Sequence, residues 1–309
     1  MLKGEKILIT GPAGQIAAPI ARALAPDNDV WGIARFSQPG SREEVEAMGL
    51  TTRAIDLGTG DFSDLPDDFT IVLHLAAYIS PGGDYESAIR VNSEGTGLLL
   101  GHCRKAKAAM VMTTSSVYSP NPDPMHLYHE TDPVGDCKLP GMQTYGISKL
   151  MEEGVARACA RLFNLPVVIA RMNSAYGNNG GLPSHHLAAI LEGKPVMLRS
   201  NPSGYSPIHE RDIVNQVEGM LSAASVPATI VNWCGDEAIA AQDWIAYMGE
   251  LTGREPQIQY YDAPGSQPGI CCDTERRMGF TGPCEVSWRD GVREMIAARH
   301  PEALVSGAA

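Results

Sequence analysis

A tyrosine and a lysine stand four residues apart in Tyr145-Gly146-Ile147-Ser148-Lys149, inside a stretch whose apolar spacing predicts a helix from Thr144 to Phe163. Positions i and i+4 share one helical face, so the ammonium can approach the phenol and favour its ionised form. Free tyrosine ionises only near pH 10, and a neighbouring cation is one way to make a phenol useful in proton transfer at neutral pH. Upstream, Met112-Thr113-Thr114-Ser115-Ser116-Val117-Tyr118 follows an apolar run and offers hydroxyls that could hold a substrate oxygen. Taken alone, the Tyr-Lys spacing is also that of an ordinary surface pair.

A second constellation lies at the start of the chain, where Thr10-Gly11-Pro12-Ala13-Gly14-Gln15-Ile16-Ala17 joins an apolar run to a helical pattern. Glycines at such a junction allow a tight turn and the close approach of a pyrophosphate to the positive end of the helix, while a small residue at Ala17 lets the helix pack near the strand. The run expected to end near Ala34 continues as Arg35-Phe36-Ser37, with no carboxylate to grip a ribose 2′-hydroxyl. A guanidinium there suits a 2′-phosphate, which makes NADP the preferred cofactor and NAD the second choice. The alternative for Arg35 is a solvated surface arginine. Asp56-Leu57 is placed to meet the adenine edge, although an aspartate there could equally cap a turn.

These residues need a scaffold, and the hydrophobic pattern supplies one. Lys6 to Thr10, Asp29 to Ala34, Thr70 to Leu75, Ala109 to Thr113 and Pro166 to Ala170 read as buried parallel strands. Helical patterns over Gln15 to Leu24, Ser41 to Met48, Asp84 to Lys107 and Thr144 to Phe163 fall between them. Such alternation predicts an α/β fold, a Rossmann-type doubly wound parallel sheet with a smaller mixed C-terminal substrate lobe. The expected division is a dinucleotide-binding domain over 1–171 with a returning segment at about 207–235, and a substrate lobe from 172–206 and 236–309.

Composition narrows the partners. The 309 residues hold 24 Lys and Arg against 36 Asp and Glu, a formal net charge of −12, and 44% are hydrophobic. A chain this acidic repels polyanions, so nucleic acid and anionic membranes are not expected partners and a small molecule is. No apolar run approaches the roughly 20 residues that span a bilayer, and the N-terminus carries no signal-peptide pattern, so a cytoplasmic location is expected. The seven cysteines form no paired C-x-x-C pattern, which argues for reduced thiols and against a metal centre.

Together the motifs resemble the extended short-chain dehydrogenase/reductase superfamily, specifically its NAD-dependent epimerase/dehydratase family. The likeness runs through the Gly11/Gly14/Ala17 turn, His74-Leu75-Ala76-Ala77, Val91 to Thr96, Thr114 to Tyr118, Tyr145/Lys149, Arg171 with Tyr176-Gly177, and Ile208 to Asp212. It implies that Thr114 is the catalytic hydroxyl, Tyr145 the acid/base, and Lys149 the partner of Tyr145 and of the nicotinamide ribose. The implied cofactor set is Gly11, Ala13, Gly14, Gln15, Ile16, Arg35, Asp56, Leu57, Leu75, Ala76, Ala77, Asn92, Tyr145, Lys149 and Arg171, with Asn92 bracing a nearby helix. Tyr78, Ser115, Ser116, Ser174 and Tyr205 are the expected substrate contacts. A homodimer is also implied, paired through apolar positions along Asp84 to Lys107 and through Ile147, Leu150, Met151 and Val155.

Departures from the family shape the expected reaction. Its dehydratases carry Asp-Glu after the catalytic Thr, where this chain has Ser115 and Ser116. Members that bind nucleotide-diphosphate sugars usually have an Asn at the place of Ser174, an Arg at the place of Tyr205, and a further Arg in the C-terminal lobe, where no Lys or Arg occurs between Arg254 and Arg276. A substrate less charged than a diphosphate is therefore expected, unless Lys194, Arg199 or Arg211 supplies the charge. The sequence favours an NADP-preferring oxidoreductase moving a hydride between nicotinamide and a carbonyl or alcohol. A sugar epimerase is the alternative within enzymes, and a cofactor-sensing regulatory protein the alternative outside them.

Overall fold

In a computed structural model, which describes residues 1–79 and 82–305, the five expected apolar runs join two further strands, Thr51–Ala54 and Thr229–Trp233, in one parallel sheet. The strands are β1 (Lys6–Thr10), β2 (Asp29–Ala34), β3 (Thr51–Ala54), β4 (Ile71–His74), β5 (Ala108–Thr114), β6 (Val167–Met172) and β7 (Thr229–Trp233). Their spatial order is β7-β6-β5-β4-β1-β2-β3, and each neighbouring pair is parallel. The order reverses between β1 and β4, which opens a crevice at the C-terminal ends of those strands.

Alternation along each strand fills both faces. Ile7 and Ile9 of β1 pack with Ile20, Leu24 and Val217 on one side, whereas Leu8 packs with Val72, Leu99, Val111 and Ala156 on the other. The first face is covered by α1 (Ala17–Leu24) and α7 (Glu210–Ser222), the second by α4 (Gly95–His102) and α5 (Tyr145–Phe163). Each of these fully buried aliphatic side chains contributes about 1.5–3 kcal/mol. A smaller lobe, with helices α6 (Leu182–Leu191), Ala241–Thr252 and Trp288–Arg299, has its own core around Leu187, Trp244, Met248 and Met295. Seated over the C-terminal ends of β5 and β6, it closes the side of the crevice that faces Tyr145.

Besides the two added strands, the structure refines two helices of the sequence reading. The segment from Asp84 to Lys107 is helical without a break from Tyr85 to His102, as α3 (Tyr85–Ile89), a π-helical turn over Arg90–Glu94, and α4, and it stops short of Lys107. Helix α2 (Ser41–Ala47) lies earlier, between β2 and β3. Asp84 caps the first piece by accepting from the Ser87 amide at 3.1 Å. The wide turn puts Asn92 inward, and at its end a Cβ on Gly95 would sit 2.8 Å from the Leu57 carbonyl oxygen, so only glycine allows that approach. Helix α1 begins at Ala17 rather than Gln15, and the Gln15 side-chain amide donates to the Ala175 carbonyl at 3.0 Å. Leu98, Ile147, Met151 and Leu162 of α4 and α5 are exposed.

Candidate active site

Gly11 makes the turn after β1 possible. Its φ of +65° is left-handed, and a Cβ there would press on Ala76 at 3.3 Å. The Gly11 amide donates to the Ile33 carbonyl and the Gly14 amide to the Gly11 carbonyl, each at 2.8 Å, so the loop lies flat across the strand ends. Beside it Thr10 Oγ1 accepts from the Leu75 and Ala76 amides at 3.0 and 2.9 Å and donates to His74 Nδ1 at 2.9 Å. The other His74 nitrogen faces Thr96 Oγ1 at 2.7 Å, and Thr96 donates to the Asn92 carbonyl at 2.6 Å. This buried chain of hydrogen bonds locks the end of β4 to the end of β1 and to the π-helical turn.

The resulting cleft has a volume of about 400 Å³ and is lined by Gly11, Ala13, Gly14, Arg35, Asp56, Leu57, Leu75, Ala76 and Ala77. Arg35 is exposed at its rim with Ser37 and Ser41. Asp56 caps a short turn, accepting from the Gly58 amide at 2.9 Å, while still facing the cleft. A flat glycine loop with room for a backbone-bound anion, a cation at one end and apolar walls fits a dinucleotide.

The second half of the site is built by α5. A Cβ on Gly146 would lie 3.0 Å from the Ser116 carbonyl oxygen, and this tight contact lays the start of α5 against the Ser115–Val117 turn that follows β5. Thr114 closes that turn, accepting from the Ser116 amide at 3.2 Å. Tyr145 and Thr114 consequently line the same two hollows. One, of about 220 Å³, also takes Gln15, Ile16 and Ser174 and lies next to the glycine loop. The other, of about 310 Å³, runs under the smaller lobe past Ser116, Ser174, His186, Arg199, Tyr205 and Tyr261.

Lys149 is fully buried and directs its ammonium at the Met112 carbonyl (3.0 Å), the Ala76 carbonyl (3.3 Å) and Glu152 Oε2 (2.7 Å). The two carbonyls accept hydrogen bonds from the lysine, and Glu152 meets its charge as an ion pair. Asn92 spans two elements, accepting from the Tyr78 amide at 2.7 Å and donating to the Tyr78 carbonyl at 3.0 Å and Ser148 Oγ at 2.9 Å. It holds the loop after β4 against α5 without lining a hollow.

Several residues sit elsewhere than their sequence order suggested. Arg171 is buried behind the site, paired with Glu153 at 2.7 Å and donating to the Glu130 carbonyl at 3.2 Å. Ser115 points into the core, donating to the Met172 carbonyl at 3.2 Å, because adjacent residues of the turn face opposite ways. Tyr78 lines the glycine-loop cleft and not the inner cavity. Of the three cations that could replace those missing at Ser174 and Tyr205, Arg199 lines the inner cavity, with Nη2 donating to Tyr205 Oη at 3.1 Å. His186, Asn173 and Leu182 also line it and carried no sequence signal. Of the cysteines, Cys103, Cys271 and Cys284 have thiols that burial pushes up to about 12, so they are poor nucleophiles. Among the described residues no cluster of three or more His, Cys, Asp or Glu could hold a metal, and no helix is long and apolar enough to cross a membrane.

The strand order, the glycine loop and the crevice define a Rossmann-type protein. Residues 7–231 match the NAD dependent epimerase/dehydratase family, and the chain belongs to it. An uncharacterized UDP-glucose epimerase of Bacillus subtilis, YtcB, is 23% identical over 283 residues, covering 85% of this chain and 87% of that protein. The UDP-glucuronic acid 4-epimerase from Bacillus cereus, solved with UDP-glucuronic acid and NAD, superposes with a TM-score of 0.80 at 21% identity, covering 96% of this chain and 99% of its own. A UDP-N-acetylglucosamine 4-epimerase from Methanobrevibacter ruminantium, solved with UDP-N-acetylmuramic acid, gives a TM-score of 0.82 at 20% identity over 97% of this chain and 100% of its own. At these identities the two structures establish the shared fold.

Proposed function

We propose that the protein is an NAD(P)-dependent epimerase acting on a nucleotide-linked sugar. The observation that carries the reading is the shared position of Tyr145 and Thr114, which line both the hollow beside the glycine loop and the inner cavity. A group bound in one hollow meets a group bound in the other across these two hydroxyls. A nicotinamide in the first supplies a reversible hydride acceptor. Tyr145 then takes the proton of the substrate hydroxyl and later returns it, while Thr114 orients the oxygen. Lys149, one helical turn from Tyr145 on α5, is held by two carbonyls and paired with the buried Glu152 carboxylate, so its charge is met there rather than at the phenol.

Two findings move the reading away from net oxidation or reduction of an uncharged substrate, which the sequence alone favoured. The full-length relatives include proteins whose names specify UDP-sugar epimerisation, and Arg199 gives the inner cavity a cation. Dehydration is disfavoured, because Ser115 and Ser116 stand where an acid pair would be needed and Ser115 faces the core. The test is isomerisation. With catalytic cofactor and a panel of UDP-sugars, the account expects a second epimer without net change in cofactor redox state, and stoichiometric reduced cofactor would contradict it.

For the cofactor we propose NADP over NAD, resting on Arg35 with the Ser37 and Ser41 hydroxyls at the rim of the cleft. Charge-assisted contacts of this kind contribute about 1.5–3 kcal/mol. Arg35→Asp is therefore expected to weaken NADP binding by about 10- to 100-fold while NAD binding holds or improves, read by fluorescence titration. Equal losses for both cofactors, or a wild-type preference for NAD, would remove Arg35 from this role.

A further inference from the structure

Arg199 follows the short strand Val196–Leu198 and lines the inner cavity together with Tyr145. Tyr205 Oη fixes one end of its guanidinium, but Nη1 is buried and has no hydrogen-bond partner. A buried donor of this kind is costly to leave unpaired. Among the described residues no carboxylate lines the cavity, so a ligand oxygen can supply the acceptor that Nη1 lacks.

A second donor borders the same space. His186 of α6 is buried, and its Nδ1 accepts from Trp244 Nε1 at 2.9 Å. With Nδ1 occupied as an acceptor, the neutral ring carries its proton on Nε2. Burial, with His185 adding to it, pushes His186 down to about 4, so the ring is neutral near pH 7. The cavity wall therefore holds a charged fork with one unpaired nitrogen and a neutral imidazole, and neither occupies the places of Ser174 and Tyr205.

We propose that Arg199 and His186 form an oxyanion seat in the substrate cavity, taking a phosphoryl or carboxylate oxygen of the substrate. The inference rests on the epimerase reading only in treating this cavity as the substrate's. The planar guanidinium can give two parallel N–H bonds to such a group, with His186 completing the shell without adding charge.

Calorimetry on the cofactor-loaded protein tests it with uridine, UDP-glucose, UDP-glucuronic acid and free glucuronic acid. Uridine is expected to bind weakest. Saturable binding of UDP-glucose assigns the seat to the diphosphate, and binding of free glucuronic acid assigns it to a carboxylate. Arg199→Ala should weaken the seated ligand by about 10- to 100-fold, and Arg199→Lys should restore only part of it. His186→Asn keeps an acceptor for Trp244 while removing the Nε2 donor, with a loss of about 3- to 10-fold. Unfolding midpoints of the unliganded variants should hold, which separates loss of a contact from loss of the fold. Anion affinities equal in wild type and folded Arg199→Ala, or no anion binding at all, would overturn the seat. Arg199-dependent binding without any epimer would leave the seat standing and defeat the epimerase reading. Epimer formation independent of Arg199 would do the reverse.

Discussion

Tyr145→Phe is expected to lower turnover by about two to four orders of magnitude, the usual worth of a positioned acid–base group. The substitution removes one oxygen and keeps the ring that shapes the wall between the two hollows. Cofactor affinity should be nearly unchanged, because the glycine loop, Arg35 and Asp56 lie in a separate cleft. A loss in kcat with little change in KM is the signature of a group used in the transition state more than in binding. Near wild-type turnover in Tyr145→Phe would remove this residue from the chemistry.

Arg171→Met should act on stability. Its guanidinium and the Glu153 carboxylate are both buried and joined by two bonds, Nε to Oε1 at 2.9 Å and Nη2 to Oε2 at 2.7 Å. Thr113 Oγ1 donates to the same carboxylate at 2.9 Å, and the guanidinium lies over the Tyr118 ring at 4.7 Å. Removing one member of such a pair strands the other charge and costs about 3–5 kcal/mol, whereas replacing both by apolar side chains recovers much of it. Urea unfolding should show a large loss for Arg171→Met and a smaller one for Arg171→Met/Glu153→Met. The folded fraction of either variant should bind cofactor as wild type does. Affinity falling further than stability would return Arg171 to the cofactor site.

Five of the seven strands were legible because a parallel sheet buried on both faces demands continuous apolar runs; β3, with the sequence TTRA at the sheet edge, and β7, at the other edge, lack that signal. The ends of strands were less so: β6 continues through Arg171 and Met172, since a buried ion pair lets an arginine occupy a core strand. The helix within Asp84 to Lys107 was legible, but its π-helical turn was not, because periodicity cannot register the inward placement of Asn92 or the contact of Gly95 with the Leu57 carbonyl, both of which depend on distant chain. The same division holds at the site. Gly11, Thr114 and Tyr145 announce themselves by local spacing, since their chemistry depends on one turn or one helix. Ser115 was placed by order alone, and order does not say which way a turn residue points. Arg199 was one of three candidate cations in the sequence, and only the folding of the smaller lobe over the sheet singles it out; His186 meets Tyr145 in the same way, with nothing adjacent in sequence to mark its neighbours.

Isotope tracing tests the central claim most directly. A UDP-sugar carrying deuterium at the carbon to be inverted is incubated with the enzyme and unlabelled oxidised cofactor, and both sugar and cofactor are then analysed by mass spectrometry. The account predicts deuterium retained on the inverted carbon of the product sugar, with no accumulation of labelled reduced cofactor. Deuterium found in released reduced cofactor, together with a keto product, would contradict epimerisation and make the protein a net oxidoreductase.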